Sequence, residues 1–385
     1  MKVLFVVYHG LSNVSGISKK IIAQVDGLKE NGHDVRLCMY TPLPDGSCVW
    51  MVDGDVIKNY GGGWKGKLLS KVNLSCIERY VREEKIEFVY ARSFHNANPF
   101  TIGMFRAFRR LGVPSVIEIP TYPYDHEYKN HSLLWKGALQ IDRLFRHQLA
   151  CMTDAIVTFT DHEKIFGQRT IRISNGIDFK KIPLRDGAKS GGDVLNVIAV
   201  AEVHYWHGFD RFIKALGEYY AAGGTRNIVF HIVGDIGRDI LEGNENSEGL
   251  NPLIDKYGIQ QHVVFHGALY GEQLNDVFDI CSFAVASLAR HRSGITNIKT
   301  LKNREYAARG FAFMYSETDS DFDAKPYVYK VPADESIIDI DGMLQFIGSL
   351  TVTPLEIRDS ISELSWKNQM NNVVCKVNSM IGMPI

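Results

Sequence analysis

Short apolar runs alternate with longer amphipathic segments along most of the chain. Residues 3–8 form an uninterrupted apolar run, which is typical of a strand buried on both faces of a sheet. Between residues 17 and 28 the apolar positions recur at helical spacing, and Gly32 follows where a helix would stop. The apolar run at 35–40 completes a strand–helix–strand unit, the repeating unit of parallel sheets.

The same alternation continues toward the end of the chain. Helices are predicted at 99–110 and 209–220, and the last ~30 residues have the apolar spacing of helices. Residues 184–193 separate two series of strands, and their glycines and polar side chains are typical of a linker. The strands are predicted at 87–90, 115–119, 155–159, 171–173, 195–200, 228–233, 263–266, 283–286 and 311–315.

We therefore predict an α/β protein with two doubly wound, Rossmann-like domains. The first domain spans 1–183, the linker 184–193 and the second domain 194–360, while a helical segment at 361–385 is predicted to pack back on the first domain. Two such domains would face each other across a cleft. Because ligands of open parallel sheets bind beyond the carboxyl ends of the strands, functional residues are expected in the loops that follow strands.

Composition narrows the range of functions. Of the 385 residues, 45% are hydrophobic and 23% are charged, and the formal net charge is −1. This profile is that of a soluble globular protein without an overall field that would attract nucleic acid. No stretch reaches the ~20 apolar residues that a membrane helix needs, and the apolar start is too short for a secretory signal. We predict a cytoplasmic protein that does not bind nucleic acid.

Metal and cofactor sites are not predicted. The six cysteines are scattered without a CxxC pair, whereas a structural zinc site needs clustered thiolates or imidazoles. Acidic DxD-like triplets occur at 53–55, 319–321, 321–323 and 339–341. Such a triplet can hold a divalent cation on a diphosphate, but four occurrences in one chain show how common the pattern is.

The most informative segment is residues 287–310, SLARHRSGITNIKTLKNREYAARG, which follows the strand at 283–286. Its second half is predicted to be a helix that starts near Thr300, with Lys302 and Glu305 on one face of its first turns. A helix N-terminus suits a diphosphate, Lys302 would add a cation, and Glu305 could accept the ribose hydroxyls. The alternative is a solvated ion pair that contributes only ~0.2–0.5 kcal/mol.

This segment resembles the donor-site motif of retaining GT-B glycosyltransferases of the family 4 type (glycosyl transferases group 1). That family commonly has two glutamates separated by seven residues, of which Glu305 matches the second while Asn297 stands at the first. The variant Leu301-Lys302-x-Arg304-Glu305-Tyr306-x-Ala308-x-Gly310 is similar to a branch associated with bacterial surface polysaccharides.

The resemblance implies a GT-B fold in which the first domain holds the acceptor and the second the nucleotide diphosphate sugar. It further implies a hexosyltransferase-type enzyme that transfers a sugar with retention, without a metal or another cofactor, to a glycan or polyprenyl-linked acceptor in bacterial polysaccharide biosynthesis. The predicted donor-binding residues are Glu305, Lys302, His207, Arg211, Gly16, Arg292, Gly294 and Asn297.

The loop at 201–208 follows the strand at 195–200 and departs from the common pattern. Many relatives carry Arg and Lys there to bind the donor phosphates, and this chain has Glu202 and His207 instead. With an unperturbed pKa near ~6.5, His207 is expected to become charged beside a diphosphate. A histidine that packs or caps the loop is the alternative. Gly16 closes a glycine-containing loop that would approach the donor or form a plain tight turn.

The predicted acceptor site is the segment at 117–127, which directly follows a strand. Glu118 and Asp125 are candidate catalytic groups together with Lys302, because an acceptor hydroxyl needs a proton acceptor nearby. A structural turn is the alternative, and Arg92 could instead pair with a carboxylate. The predicted acceptor-binding residues are Tyr122, Tyr124, Glu127 and Arg92.

Basic and aromatic residues at 64–71 and basic residues at 106–110 form patches in the first domain. An acceptor anchored in lipid would place such patches against the anionic inner face of a membrane, at ~1 kcal/mol per basic residue. Solvated helix faces are the alternative.

Two other functions are compatible with the sequence. A nucleotide-sugar 2-epimerase or a phosphorylase can share the two-domain cleft, although no acid–base pair for epimerisation is evident. A degenerate nucleotide-sugar-binding protein without transferase activity would account for Glu202, His207 and Asn297.

Overall fold

The computed structural model describes residues 1–11, 16–92, 97–125, 132–185, 193–244 and 247–382. The chain forms two compact units: unit 1 consists of Met1–Ser174 and Ser365–Ile385, and unit 2 of Asn175–Leu364. The sequence placed the linker at 184–193, of which 186–192 lie outside the described residues.

Unit 1 is built on a mixed sheet that has nine strands within the described residues, in the order β4-β3-β2-β1-β5-β6-β7-β9-β8. The strands are β1 Lys2–Val7, β2 Asp34–Pro42, β3 Cys48–Val52, β4 Asp55–Asn59, β5 Phe88–Arg92, β6 Ser115–Ile119, β7 Ala155–Thr158, β8 Lys164–Ile165 and β9 Gln168–Arg172. The helices of its first segment are α1 Gly16–Glu30, α2 Gly63–Val72, α3 Ser75–Glu83, α4 Pro99–Arg110 and α5 Leu133–Met152.

Unit 2 contains a sheet in the order β14-β11-β10-β15-β16-β17, in which every pairing of the described strands is parallel. The strands are β10 Val194–Val200, β11 Asn227–Val233, β12 Gly243–Asn244, β13 Ser247–Glu248, β14 Val263–Gly267, β15 Phe283–Val285, β16 Ala312–Tyr315 and β17 Val328–Lys330. The helices are α6 Phe209–Ala221, α7 Arg238–Glu242, α8 Leu250–Tyr257, α9 Gly271–Ile280, α10 Leu301–Ala308, α11 Ile340–Ser349 and α12 Pro354–Asp359, and α13 Trp366–Ile381 returns to unit 1.

Both faces of the unit 1 sheet are covered, which explains the uninterrupted apolar run of β1. Leu4 and Val6 belong to one apolar cluster, whereas Val3 and Phe5 belong to the cluster on the opposite face. Successive side chains of a strand point to opposite faces, so a strand covered on both sides must be apolar at every position.

Helix α13 packs on α1, and a glycine sets the closeness of the two helices. A Cβ placed on Gly27 of α1 would lie 2.6 Å from the backbone oxygen of Trp366 at the start of α13. Met370 and Val373 of α13 are fully buried in the same apolar cluster as α1 residues Ile21 and Leu28. The last helix is therefore part of the unit 1 core.

The connections of unit 2 reverse direction between β10 and β15. From β10 the chain continues to β11 and β14 on one side, and it then crosses to β15, β16 and β17 on the other. Crevices at the carboxyl ends of such neighbouring strands are the usual ligand sites of doubly wound sheets.

The predicted α/β architecture is confirmed, and the strands predicted at 115–119 and 195–200 match β6 and β10 to within one residue. The antiparallel edge formed by β3 and β4 differs from the predicted parallel sheet. It lies at the edge of the sheet, where a tight turn at Asp53 and Gly54, both with positive φ, reverses the chain.

Candidate functional site

Loops that follow three neighbouring strands of unit 2 are tied together by backbone hydrogen bonds at the carboxyl edge of the sheet. The amide of Leu288 donates to the carbonyl oxygen of His207 at 2.8 Å, and the amide of Ser316 donates to that of Ser287 at 3.0 Å. Gly208 has a φ of 66°, and a Cβ there would lie 2.7 Å from the Cβ of Ala289. The loops after β10 and β15 can approach this closely because position 208 is glycine.

Lys302 lies in the first turn of α10, the helix that follows the β15 loop. Its Nζ is buried and has no hydrogen-bond partner among the described residues, and it lies 5.9 Å from the centre of the Phe209 ring. Burial and the positive charge of Arg290 lower the pKa of Lys302 to about 7, although Glu317 opposes the shift. The cation is thus held close to its titration point at neutral pH.

Glu317 lies two residues beyond β16 and faces the same region. Its side chain is only 1% exposed, and neither carboxyl oxygen has a hydrogen-bond partner within the described ranges. Burial raises the pKa of Glu317 to about 7 against three opposing effects: its own backbone amide, whose geometry falls short of a hydrogen bond, and the charges of Arg290 and Lys302. The charges interact, yet no ion pair joins Glu317 to either cation in the described parts of the chain.

Besides the Nδ1 of His291, whose Nε2 contacts Glu335, two further polar groups of the β15 loop are buried without a partner among the described residues. They are the Oγ of Ser287 and the Nε of Arg290, whose guanidinium lies 5.7 Å from the centre of the Trp206 ring. Since native proteins satisfy the large majority of buried polar groups, a concentration of unsatisfied groups at a switch point indicates a ligand site. Two cations, a hydroxyl and a carboxylate would be offered to that ligand.

His207 does not behave as its ordinary pKa suggests. Its Nδ1 accepts a hydrogen bond of 2.9 Å from the amide of His204, an arrangement that places the ring proton on Nε2. Burial, followed by the charges of Lys302 and Arg290, lowers the pKa of His207 to about 2. Burial in this loop thus favours the neutral imidazole, and the charging of His207 beside a diphosphate stays a prediction.

Lys302 and Glu305 do not form the pair that their spacing allows. Glu305 accepts a hydrogen bond of 3.1 Å from the Nε of Arg309, and the Nη1 of the same arginine donates to Asn275 at 2.8 Å. The Glu305 carboxylate therefore faces α9, while Lys302 is coupled to Arg290 and Glu317. Thr300 caps α10 by accepting a bond from the amide of Asn303, so the helix starts where the sequence predicts.

The other residues of unit 2 that were predicted to bind the sugar donor mostly contact other parts of the protein. Arg211 donates to three backbone oxygens, those of Leu288, Pro332 and Ser336. Arg292 is held by two carboxylates, with contacts of 2.7 Å to both Asp210 and Glu335. Gly294 closes a short helical turn with a φ of 70°. Asn297 is exposed and forms a parallel bridge with Thr318.

The acidic triplets after β16 are engaged by cations. Asp319 is fully buried and accepts from Arg304 at 2.8 Å, and Asp321 pairs with Arg304 and with Lys299. Asp323 accepts from Tyr315 and Lys330. No group of three or more His, Cys, Asp or Glu side chains that could hold a metal occurs in the described residues.

A cavity of about 590 Å³ lies beside this site within unit 2. Its lining includes His204, Phe209, Asp210, Arg292 and Glu335, but neither Lys302 nor Glu317. Phe209, which lines the cavity, has its ring centre 5.9 Å from the Nζ of Lys302, so the cavity adjoins the cluster of unsatisfied groups.

Glu118 and Arg92, two predicted residues of unit 1, contact each other. Arg92 donates to the fully buried carboxylate of Glu118 at 2.7 Å, and Gln24 and Tyr90 donate to its second oxygen. Burial alone would raise the pKa of Glu118, but Arg92, Lys20 and these hydrogen bonds outweigh it and lower the pKa. The catalytic role of Glu118 and the acceptor role of Arg92 stay predictions, on groups that already satisfy one another.

Asp125 is also engaged, by Arg143 and Arg146 at 2.9 Å each. The hydroxyl of Tyr124 donates to Asp142 at 2.7 Å, and Tyr122 packs edge-on against His162 and Phe166. Glu127 lies outside the described residues, and Gly16 is the first residue of α1. The acceptor site therefore stays a prediction.

Sequence reasoning missed Glu317, Arg290 and Ser287. All three follow strands, so the rule that directed attention to strand ends also applied to them. The acidic triplets beside Glu317 were considered instead of Glu317 itself, and Arg292 was selected instead of Arg290. Only the structure shows that Arg292 is paired, whereas the Nε of Arg290 has no partner among the described residues.

No protein-family model matches the chain, and no curated protein sequence matches it. Solved structures do match. The apo lipopolysaccharide outer core galactosyltransferase WaaB is similar with a TM-score of 0.61 at 12% identity over 99% of each chain. AviGT4, a glycosyltransferase involved in avilamycin A biosynthesis, has a TM-score of 0.56 at 14% identity over 99% of this chain and 98% of its own.

The E. coli trehalose-6-phosphate protein bound with UDP-2-fluoro glucose has a TM-score of 0.55 at 12% identity, over 98% of this chain and 99% of its own. At such identities the likeness establishes the fold. The chain has the two parallel-sheet units of the GT-B glycosyltransferase fold, as the sequence predicted.

Proposed function

We propose that the protein is a glycosyltransferase that moves a sugar from a nucleotide diphosphate sugar to a glycan or lipid-linked acceptor. Transfer proceeds with retention, without a divalent metal, and serves the synthesis of a bacterial polysaccharide. The solved structures named above support the proposal, since two are glycosyltransferases and a third holds UDP-2-fluoro glucose. The likeness of the 301–310 segment to the polysaccharide branch supports the finer assignment.

The observation that carries the proposal is a pair of buried cationic groups, one in the first turn of α10 and one in the β15 loop. The Nζ of Lys302 and the Nε of Arg290 lack partners within the described residues. Negative charge develops on the diphosphate as the sugar leaves, and preorganised cations in a water-poor site stabilise that charge. Lys302 Nζ and Arg290 are therefore assigned to the leaving group, and Glu305 to the ribose.

A thermal-shift panel of UDP-, GDP-, ADP- and dTDP-sugars tests donor binding. A ligand at 100 times its Kd should stabilise the protein by ~2.7 kcal/mol. With the donor identified, Lys302→Met should lower kcat by roughly 10²-fold, because one preorganised charge is lost. Lys256→Met on exposed α8 is the matched control and should leave kcat unchanged.

Three results would contradict the proposal: no stabilisation by any member of the panel, full activity of Lys302→Met, or loss of activity in EDTA. Epimerised sugar formed from donor alone, without an acceptor, would identify a nucleotide-sugar epimerase instead.

We further propose that unit 1 contacts an anionic membrane surface through α2. The side chains of α2 that face the protein are small, Gly66 and Ser70, whereas Trp64 is 71% and Leu68 51% exposed. At 100° per residue, Leu68 lies nearly opposite the buried face, and Lys65, Lys67 and Lys71 flank it. No acidic residue occurs from 56 to 77. An apolar ridge between lysines suits the interface of an anionic bilayer.

Co-sedimentation with phosphatidylglycerol vesicles tests this contact against phosphatidylcholine vesicles. The triple change Lys65→Gln, Lys67→Gln, Lys71→Gln should weaken binding about 100-fold, at ~1 kcal/mol per lysine. Leu68→Ser should weaken it too, while Leu355→Ser, on an equally exposed leucine of α12, should not. Equal binding to neutral vesicles, or none by the unaltered protein, would refute the contact. Among the described residues, no helix combines the length and the apolar character that a membrane span requires.

A further inference from the structure

Glu317 has no role in the proposed stabilisation of a diphosphate. Its carboxylate faces Lys302 and Arg290, the two cations assigned to the phosphates, and a negative charge there would repel a diphosphate. A buried charge without hydrogen bonds is costly to a folded protein. The position therefore calls for a ligand group that donates hydrogen bonds.

The other buried carboxylates of the described residues all have donors. Glu118 is held by Arg92 at 2.7 Å, Asp319 by Arg304 at 2.8 Å, and Asp142 by the hydroxyl of Tyr124 at 2.7 Å. Glu317 differs from them in that both of its oxygens lack a hydrogen-bond partner in the described parts of the chain. The contrast within one chain shows that the lack of donors is particular to this site.

The neighbouring unsatisfied groups define the chemistry of the ligand. Lys302 and Arg290 require an anion, Ser287 can donate or accept, and Glu317 requires neutral donors. A phosphate joined to a polyhydroxylated group satisfies all four. Nucleotide diphosphate sugars carry such a group on both sides of the diphosphate, the ribose on one and the transferred sugar on the other.

The position of Glu317 favours the transferred sugar over the ribose. Glu305, the residue assigned to the ribose, faces α9 through Arg309 and Asn275. Glu317 reaches Lys302 from the end of β16, next to the bridge between Asn297 and Thr318. Glu305 shares α10 with Lys302 but points toward α9, whereas Glu317 approaches Lys302 from the loop after β16. Carboxylates that belong to different elements suit the two ends of a diphosphate centred on this lysine.

We propose that Glu317 accepts hydrogen bonds from hydroxyl groups of the transferred sugar and so selects the sugar nucleotide over the free nucleoside diphosphate. The inference rests on the proposed function. It assigns a sugar-binding residue for which the donor motif of residues 287–310 offers no counterpart.

The test compares binding of a sugar nucleotide with binding of its free nucleoside diphosphate. UDP-glucose with UDP and GDP-mannose with GDP are measured by isothermal titration, and the pair that binds the unaltered protein is used. Glu317→Gln should weaken sugar nucleotide binding about tenfold and Glu317→Ala up to about a hundredfold, since hydrogen bonds to a charged group are lost. The Kd of the free diphosphate should not rise in either variant. Glu218→Gln, an exposed residue of α6 that accepts from Tyr257, is the matched control.

The melting temperature shows whether Glu317→Gln is folded. It should rise, because the change removes a buried charge that has no hydrogen-bond partner among the described residues. Unchanged sugar nucleotide binding would overturn the assignment. So would an equal loss of free diphosphate binding, which would place Glu317 on the ribose or make it structural. If no nucleotide sugar of the thermal-shift panel binds the unaltered protein, the proposed function itself fails.

Discussion

At the scale of single residues, the site depends on two titratable groups with opposite shifts. Burial lowers the pKa of Lys302 and raises that of Glu317, each to about 7. Neither group has a hydrogen bond among the described residues to offset its burial. Burying two titratable groups without hydrogen bonds destabilises the folded protein, and such perturbed groups are characteristic of ligand-binding sites.

Diphosphate binding should therefore take up a proton. At pH 8 a lysine with a pKa near 7 is mostly neutral, and a bound anion would stabilise its charged form. Titrations of the free nucleoside diphosphate in buffers of different ionisation enthalpy should show uptake of about one proton. Lys302→Met should abolish the uptake. The same uptake in that variant would show that another group is the source.

Glu317 should make stability fall with pH. The unfolded carboxyl loses its proton near the ordinary pKa of 4.5, whereas the folded one keeps it until about 7. Between these values the folded state binds more protons, so stability decreases as pH rises. The gain in melting temperature of Glu317→Gln over the unaltered protein should grow from pH 4.5 to 7. A constant difference across this window would contradict the raised pKa.

At the scale of elements, the site is formed by loops whose positions follow from close packing. Two glycines allow this packing, each at a position where a Cβ would overlap a neighbouring segment. Gly208 lets the β10 loop meet the β15 loop, and Gly27 lets α1 meet α13. At Gly103 of α4, by contrast, nothing lies within 4 Å of the missing Cβ.

Gly27→Ala should destabilise unit 1 by about 1–3 kcal/mol, because the new Cβ would overlap backbone atoms of Trp366. Gly103→Ala is the matched control: nothing lies within 4 Å of the position its new Cβ would take, and alanine favours a helix by about 1 kcal/mol. Thermal or urea unfolding measures both. Equal effects of the two changes would show that α13 does not lie this close to α1.

At the scale of the whole molecule, the two units do not simply follow one another along the chain. Unit 1 contains residues from both ends of the sequence, and unit 2 is formed by the segment between them. With identities of 12–14% to solved structures that it matches over 98% or more of its length, the chain keeps the fold without keeping the sequence. Because α13 belongs to the second of the two segments that form unit 1, and its side chains are part of the unit 1 core, the first unit needs the last helix.

Deleting residues 365–385 should expose the apolar face of unit 1 against which Met370 and Val373 pack. Burial of apolar surface is worth roughly 25 cal/mol per Å², so the truncated protein should melt at a lower temperature and bind a hydrophobic dye. A truncated protein with an unchanged melting curve would contradict this account.

Much of the architecture could be read from the sequence because it depends on local patterning. Apolar runs give the strands of a sheet covered on both faces, and helical spacing with stop residues gives α4 and α6 close to their observed bounds. The hairpin of β3 and β4 was missed because β4 is mostly exposed and lacks the apolar pattern of a buried strand, although β3 has it. Helix α2 was missed as well, because its apolar residues face outward.

The sequence alone determined the α/β class, the two series of strands, and the place of α10 with Lys302 and Glu305 behind β15. These features follow from residue types and their spacing. Only the tertiary structure decided which charged groups are already satisfied: Arg211, Arg292, Asp125 and Glu118 have partners, while Lys302 and Glu317 have none among the described residues. The physical reason is that partners come from residues distant in the chain, so the electrostatic state of a side chain is a property of the folded neighbourhood.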